Sequence, residues 1–262
     1  MGKIVLLPQF KTITIQGVKK RVSLIDNTKY DLFNPSLLGL GDIASPSVTV
    51  ESIAAVFDLS GFTKFCSQVD PHLAVPEYLS RFLNWLFRRI KLEFVEKEYP
   101  EGKTLWANLP FLAKFTGDGV LFLWNTLGMS GEEICNVVVS LKIICDNYVK
   151  QFYPYAKRTV VNPPDALRCG MARGTVFSVG NGEDYVGPCI NIATRLQKLS
   201  LLSFSVSRRG FDFKKHMNET FASEFILKSV VLRGIGSKEL VWVLQKQFEG
   251  LPKQEKTLFK DP

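Results

Sequence analysis

Apolar residues recur along this chain with two different periods. Between Pro76 and Glu98, the side chains of Leu79, Phe82, Leu86, Ile90 and Phe94 return every third or fourth place, which predicts a long helix with one apolar stripe. Ile134, Val138, Leu141, Cys145 and Phe152 do the same across 131–152 and predict a second. Elsewhere the period is two or the apolar run is unbroken. VTVESIAAVFD (48–58) reads as a strand, FLAKFTGDGVLFLW (111–124) as two strands joined by a turn, and ALRCGMARGTVFSVG (166–180), with its alternating small residues, as another hairpin. A third helix is expected to begin near Pro188, and the pattern closes on a pair of strands.

Ahead of this series, residues 10–25 (FKTITIQGVKKRVSLI) alternate around a Gly-containing turn and predict a separate hairpin. SLLGLGDIASPS (36–47) reads as a linker. The expected organisation is an N-terminal extension and linker (1–47), a main domain (48–245) and a C-terminal tail (246–262).

Composition narrows the class. In 262 residues, 46% hydrophobic content supports a substantial core. The net charge of +8 favours polyanionic partners without choosing among nucleotides, nucleic acid and anionic membranes. The basic clusters RRIK (88–91) and SRRGFDFKKH (207–216) read as solvated faces, with phosphate contact as the alternative. Five cysteines form no C-x-x-C pair, and with two histidines there is no zinc spacing, so the thiols read as reduced core residues. MGKIVLLPQF is broken by Pro8 and lacks a cleavage site, Leu6 departs from the myristoylation pattern, and no run approaches the roughly 18 apolar residues of a membrane span. A cytoplasmic protein is expected.

Three short stretches could carry chemistry. VFDLSGFTKF (56–65) ends a strand on Asp58 and turns through Ser60 and Gly61 into a helix, which sets a carboxylate beside unpaired backbone N–H groups. Such a place suits a metal and a phosphate; Asp58 or Ser60 serving only as a helix cap is the simpler reading. Asp118 stands between Gly117 and Gly119 in a hairpin turn, where Asp-Gly also serves turn geometry alone. Asn191 and Arg195, four apart, share one helix face that could equally be solvated surface. One reaction needs all three. Two adjacent carboxylates can hold a pair of divalent cations about 3.5–4 Å apart for in-line attack on phosphorus, and an Arg can neutralise the reacting phosphoryl group.

With these residues in order, the sequence resembles the class III nucleotidyl cyclases. FDLSGFT, KFTGDG, GMARGTVFSVG, DYVGPCINIATRLQ and LRGIGSKELVWVL follow one another as the family's motifs do, across about residues 48–245. The resemblance implies an α+β, ferredoxin-like catalytic domain that pairs head to tail as a homodimer with shared active sites. It implies that Asp58, Asp118 and the main-chain carbonyl of Leu59 hold two divalent ions, Mn²⁺ or Mg²⁺. Ser60, Gly61, Phe62 and Thr63 would lie against the triphosphate. Asn191 of the partner copy would orient the ribose, and Arg195 would stabilise the transition state. Lys114 and Asp184 match the pair that contacts the base in adenylyl cyclases.

The chain departs from the family at Ile235, where many purine cyclases carry a Lys; Arg233 or Lys238 are the candidate substitutes. GKTLWANLPF (102–111) is an extra segment. A compact cyclase with a short N-terminal extension and no recognisable sensor module resembles the pyrimidine cyclases of bacterial Pycsar anti-phage systems. That implies cyclic UMP or cyclic CMP as product and a separate effector protein that responds to it. Phe57, Phe115 and Tyr185 adjoin motif positions and could narrow a pocket to a single ring, or serve as ordinary packing. An adenylyl cyclase, a catalytically silent nucleotide-binding module and a nucleic-acid binder are the competing readings. The last rests only on net charge and scattered basic clusters, so no nucleic-acid partner is expected, and without a long apolar run no membrane span is expected either.

Overall fold

The computed structural model describes residues 9–236 and 238–262, so the N-terminal run searched for leader and lipidation signals lies outside the described residues. The described residues fall into two compact units, one drawn from 9–48 and 177–186, the other from 49–176 and 187–262.

In the first unit, β1 (Gln9–Ile15) and β2 (Val18–Leu24) form the expected hairpin. Gln16 and Gly17 turn it with φ of 51° and 79°, the paired positive angles whose twist matches that of the strands. α1 (Asn27–Asp31) follows, with the Asp26 carboxylate accepting from Thr28 N at 2.9 Å. Most of the predicted linker is irregular, and Ser47 and Val48 bond to Ser178.

The second unit begins with β3 (Thr49–Ser60). Ile53 to Leu59 are buried without interruption, as in a central strand covered on both faces. α2 (Phe62–Phe65) is a single turn, and α3 (Pro71–Phe94) is the first long helix. It starts five residues ahead of the predicted Pro76, because Pro71 already supplies a proline at the first helical position. It stops at Phe94 because VEKEY forms β4 (Val95–Tyr99), which pairs with β5 (Gly102–Leu105) in a two-stranded sheet built from part of the extra segment. Its buried stripe is Tyr78, Phe82, Leu86, Ile90 and Phe94, each contributing about 1.5–3 kcal/mol of burial.

β6 (Leu112–Phe115) and β7 (Gly119–Asn125) are the predicted hairpin. α4 (Gly131–Asn147) opens with a capping box between Ser130 and Glu133 and buries Ile134, Val138, Leu141 and Cys145. One π turn (Tyr148–Phe152) and α5 (Tyr153–Ala156) carry it on, burying Phe152 as expected. ALRCGMARGTVFSVG does not form a hairpin by itself. It is the single long strand β8 (Ala166–Val179), and the hairpin is completed in the first unit by β9 (Asp184–Val186). Its small residues serve close helix approach rather than a turn. α6 (Pro188–Leu196) runs so near that a Cβ on Gly170 would stand 2.2 Å from Ala193 O, and one on Gly187 2.6 Å from Thr175 O.

The chain then forms β10 (Phe204–Ser207), α7 (Phe213–His216), α8 (Glu219–Ala222), β11 (Phe225–Val230), β12 (Glu239–Leu244), α9 (Gln245–Glu249), α10 (Lys253–Lys256) and β13 (Phe259–Lys260). Residues 246–262, set apart above as a tail, carry α9, α10 and β13, and β13 pairs with β11. The main sheet has the order β13-β11-β12-β10-β8-β3-β7-β6. Core side chains of α3 and α4 pack with Phe57, Leu59 and Met171 on one face, while α6 lies along β8 and β3 on the other. All five cysteines are free, and four are buried. No described helix is long and apolar enough to cross a membrane.

Candidate active site

The pairing of β3 with β7 brings the two predicted carboxylates together. Asp58 lies opposite Gly119, and Leu59 N donates to Asp118 O at 3.0 Å. Gly119 is required here, since a Cβ would stand 1.8 Å from Phe57 O and push the strands apart. Asp118 sits in the turn closed by Thr116 N donating to Gly119 O at 3.0 Å, with Gly117 at φ 102°. Turn geometry and carboxylate placement are thus served by the same residues. Asp58 is only 7% exposed, and burial, then the neighbouring Asp118 carboxylate, pushes its carboxyl up to about 6; Lys198 and Arg168 pull the other way.

Beyond Asp58, the Leu59 side chain is core, so only its backbone is available to a ligand. Ser60 ends the strand and Gly61, at φ 80°, makes the left-handed step into α2, a step that glycine takes without strain. No side chain caps α2, which leaves first-turn N–H groups of Phe62 and Thr63 beside the carboxylates in sequence. The bland reading of Asp58 and Ser60 as caps therefore fails. Arg168 Nη2 donates to Ser60 Oγ at 3.2 Å, at the same strand end. Arg168 and Lys198 were not singled out from the sequence. Arg168 is one polar residue in an apolar strand, and only the alignment of β8 with β3 reveals its place.

Asn191 and Arg195 are brought together on the exposed face of α6, whose other face buries Cys189, Ile192, Ala193 and Leu196. Lys114 is exposed on β6 opposite Leu121. Asp184 belongs to β9 in the first unit, where its Oδ1 accepts from Tyr185 N at 2.8 Å. Phe57 is fully buried edge-on to Phe122 and is ordinary packing, whereas Phe115 is 44% exposed.

Among the described residues no group of three or more His, Cys, Asp or Glu side chains converges as a metal cage. Two carboxylates with a nearby backbone carbonyl nonetheless fit hard divalent cations that keep water and phosphate oxygens in their shell.

The fold has known counterparts. The adenylyl cyclase CyaB from P. aeruginosa superposes with a TM-score of 0.55 at 13% identity, over 76% of this chain and 95% of that one. The guanylyl cyclase Cya2 matches at 0.55 and 13%, over 76% and 93%. A bacterial light-regulated adenylyl cyclase matches at 0.53 and 16%, over 80% of this chain and 55% of that one. This chain has the fold of a class III cyclase catalytic domain. No family model matches the sequence. No curated protein matches it either.

Proposed function

We propose that this chain is a nucleotidyl cyclase converting a nucleoside triphosphate to a 3′,5′-cyclic nucleotide and pyrophosphate, with UTP, ahead of CTP, as substrate. The observation that carries the reading is the pairing of buried Asp58 with Asp118 across β3 and β7, next to the left-handed Gly61 step. Asp58, Asp118 and the Leu59 carbonyl would hold two Mn²⁺ or Mg²⁺ ions, which acidify the 3′-hydroxyl and neutralise the pyrophosphate leaving group. The backbone of Ser60 to Thr63 receives the triphosphate, with Gly61 permitting close approach. Asn191 orients the ribose and Arg195 neutralises charge on the reacting phosphoryl group.

In this reading the Asn191 and Arg195 that complete a site come from a second copy, in a head-to-tail homodimer with shared sites. Exposure of that face of α6 supports it. For the base, exposed Phe115 beside Lys114 offers a bulky group that would shorten the pocket to one ring. Lys114 and Asp184 taken at face value favour ATP instead, and make an adenylyl cyclase the alternative. A cyclic pyrimidine nucleotide would serve antiviral defence by activating a separate effector protein.

The test is incubation of the purified chain with ATP, GTP, CTP and UTP together in Mn²⁺, with products identified by chromatography and mass spectrometry. Cyclic UMP is expected, cyclic CMP second. Cyclic AMP alone would restore Lys114 and Asp184 to base selection, and no cyclic product would make the chain a silent nucleotide-binding module.

A further inference from the structure

The cluster SRRGFDFKKH, whose basic side chains are largely exposed as a solvated face would be, also borders a cavity. Arg208, Arg209, Lys214 and His216 border about 820 Å³, joined by Arg173 of β8 and Lys238 just before β12. That volume lies within the range of small-molecule pockets. The apolar wall is Met129, Ile134 and Trp242.

Charge within the lining does not balance. Its two acids are already engaged: Glu239 accepts from Ser207 Oγ and pairs with Arg209 Nη2, each at 2.6 Å, and Asp212 accepts from Lys215 N at 3.3 Å. Arg208, Lys214 and Lys238 have no acidic partner among the described residues. Arg173 Nη1 donates to Gly210 O at 3.2 Å, a neutral acceptor that leaves the charge of its guanidinium unbalanced. Several cations on one cavity wall without acidic partners call for an anion with several oxygens.

The cavity is remote from the carboxylate pair. Cys169 and Met171 of β8 pack in the core with α4, and alternation puts Arg173 on that same face, where Gly131 and Ile134 of α4 meet it. Asp58, set between core residues Phe57 and Leu59, faces the other side. Along β8, Arg173 is also five residues, or roughly 17 Å, beyond Arg168 at the carboxylate end.

We propose that this cavity is a second ligand site, binding a small phosphate-bearing molecule through Arg173, Arg208 and Lys238 with the Trp242 wall beneath. A dianionic phosphate matches the surplus of cations better than a single carboxylate, and guanidinium forks bind it in two-point fashion. Calorimetric titration of the full chain in EDTA, with inorganic phosphate and with uridine 5′-monophosphate as probes, tests the site.

Binding is expected for the nucleotide, unchanged in Asp58→Asn and weakened about tenfold or more in Arg208→Ala and in Lys238→Ala, both exposed positions whose replacement leaves the fold intact. Tighter binding of the ester than of phosphate assigns the wall to its organic part; equal binding assigns the phosphate group alone. No heat at millimolar ligand, unchanged affinity in both variants, or loss of binding in Asp58→Asn would overturn the proposal.

Discussion

Replacing Asp58 by Asn is expected to make the metal-free protein more stable while abolishing turnover. Burial and the adjacent Asp118 raise the Asp58 carboxyl from 3.8 to about 6 in the folded chain. Ionising it there costs up to about 3 kcal/mol more than in the unfolded chain. The sign follows from proton binding. Between the two values the folded state holds more protons than the unfolded one, so stability is highest below about pH 4, falls as pH rises to about 6, and is flat beyond. Asn does not titrate and is close in shape, and its amide can donate to the Asp118 carboxylate. At pH 7.5 in EDTA, urea denaturation should therefore show Asp58→Asn more stable than wild type by up to about 3 kcal/mol, a gain that shrinks below about 1 kcal/mol near pH 4. Saturating Mn²⁺ should reverse the order, since only wild type keeps both carboxylates and binding to the folded state adds stability. A variant less stable than wild type at pH 7.5, or a difference independent of pH, would refute the reasoning that Asp58 is held as a costly anion for a cation.

Gly170→Ala would drive a Cβ to 2.2 Å from Ala193 O, so α6 must lift from β8; a loss of about 1–3 kcal/mol in urea denaturation is expected, with cyclase activity falling alongside. Buried Tyr78 and Tyr148 share a hydroxyl contact of 2.6 Å, and Tyr148 also donates to Pro164 O at 2.6 Å. Tyr148→Phe should thus cost about 2–3 kcal/mol and Tyr78→Phe about 1, an order that thermal denaturation of the two variants checks. Replacing Mn²⁺ by Ca²⁺ should abolish most turnover, because a two-carboxylate site completed by phosphate oxygens suits a small octahedral ion; equal rates would contradict it.

The two long helices were legible because their buried stripes repeat with the helical period: nine of the ten named positions are buried, and only Leu79 yields its place to Tyr78. Their ends were less so. Pro76 looked like a helix start until Pro71 proved to occupy the same kind of position. Gly170, Ala172 and Gly174 read as turn-formers because a single sequence does not reveal that a helix will lie against them. The carboxylates were visible as motif residues, yet their contact depends on the register of β3 against β7, which hydrophobic alternation leaves open. Arg168 and Lys198 carried no local signal at all, since their nearness to Asp58 arises from strands and helices distant in sequence. The basic residues at 207–216 are exposed, as the sequence suggests, but the cavity they border is closed by β8, β12 and the start of α4, which no local pattern reveals.

In the proposed enzyme the carboxylate pair of one copy and the Asn–Arg pair of another act as a single site. The most direct test of this claim is to mix Asp58→Ala with Arg195→Ala under conditions of demonstrated subunit exchange and measure cyclic nucleotide formation. Each variant alone should be inactive. Random pairing gives half mixed dimers, each with one intact site, so the mixture should recover about a quarter of wild-type activity. Full exchange without recovery would contradict the claim.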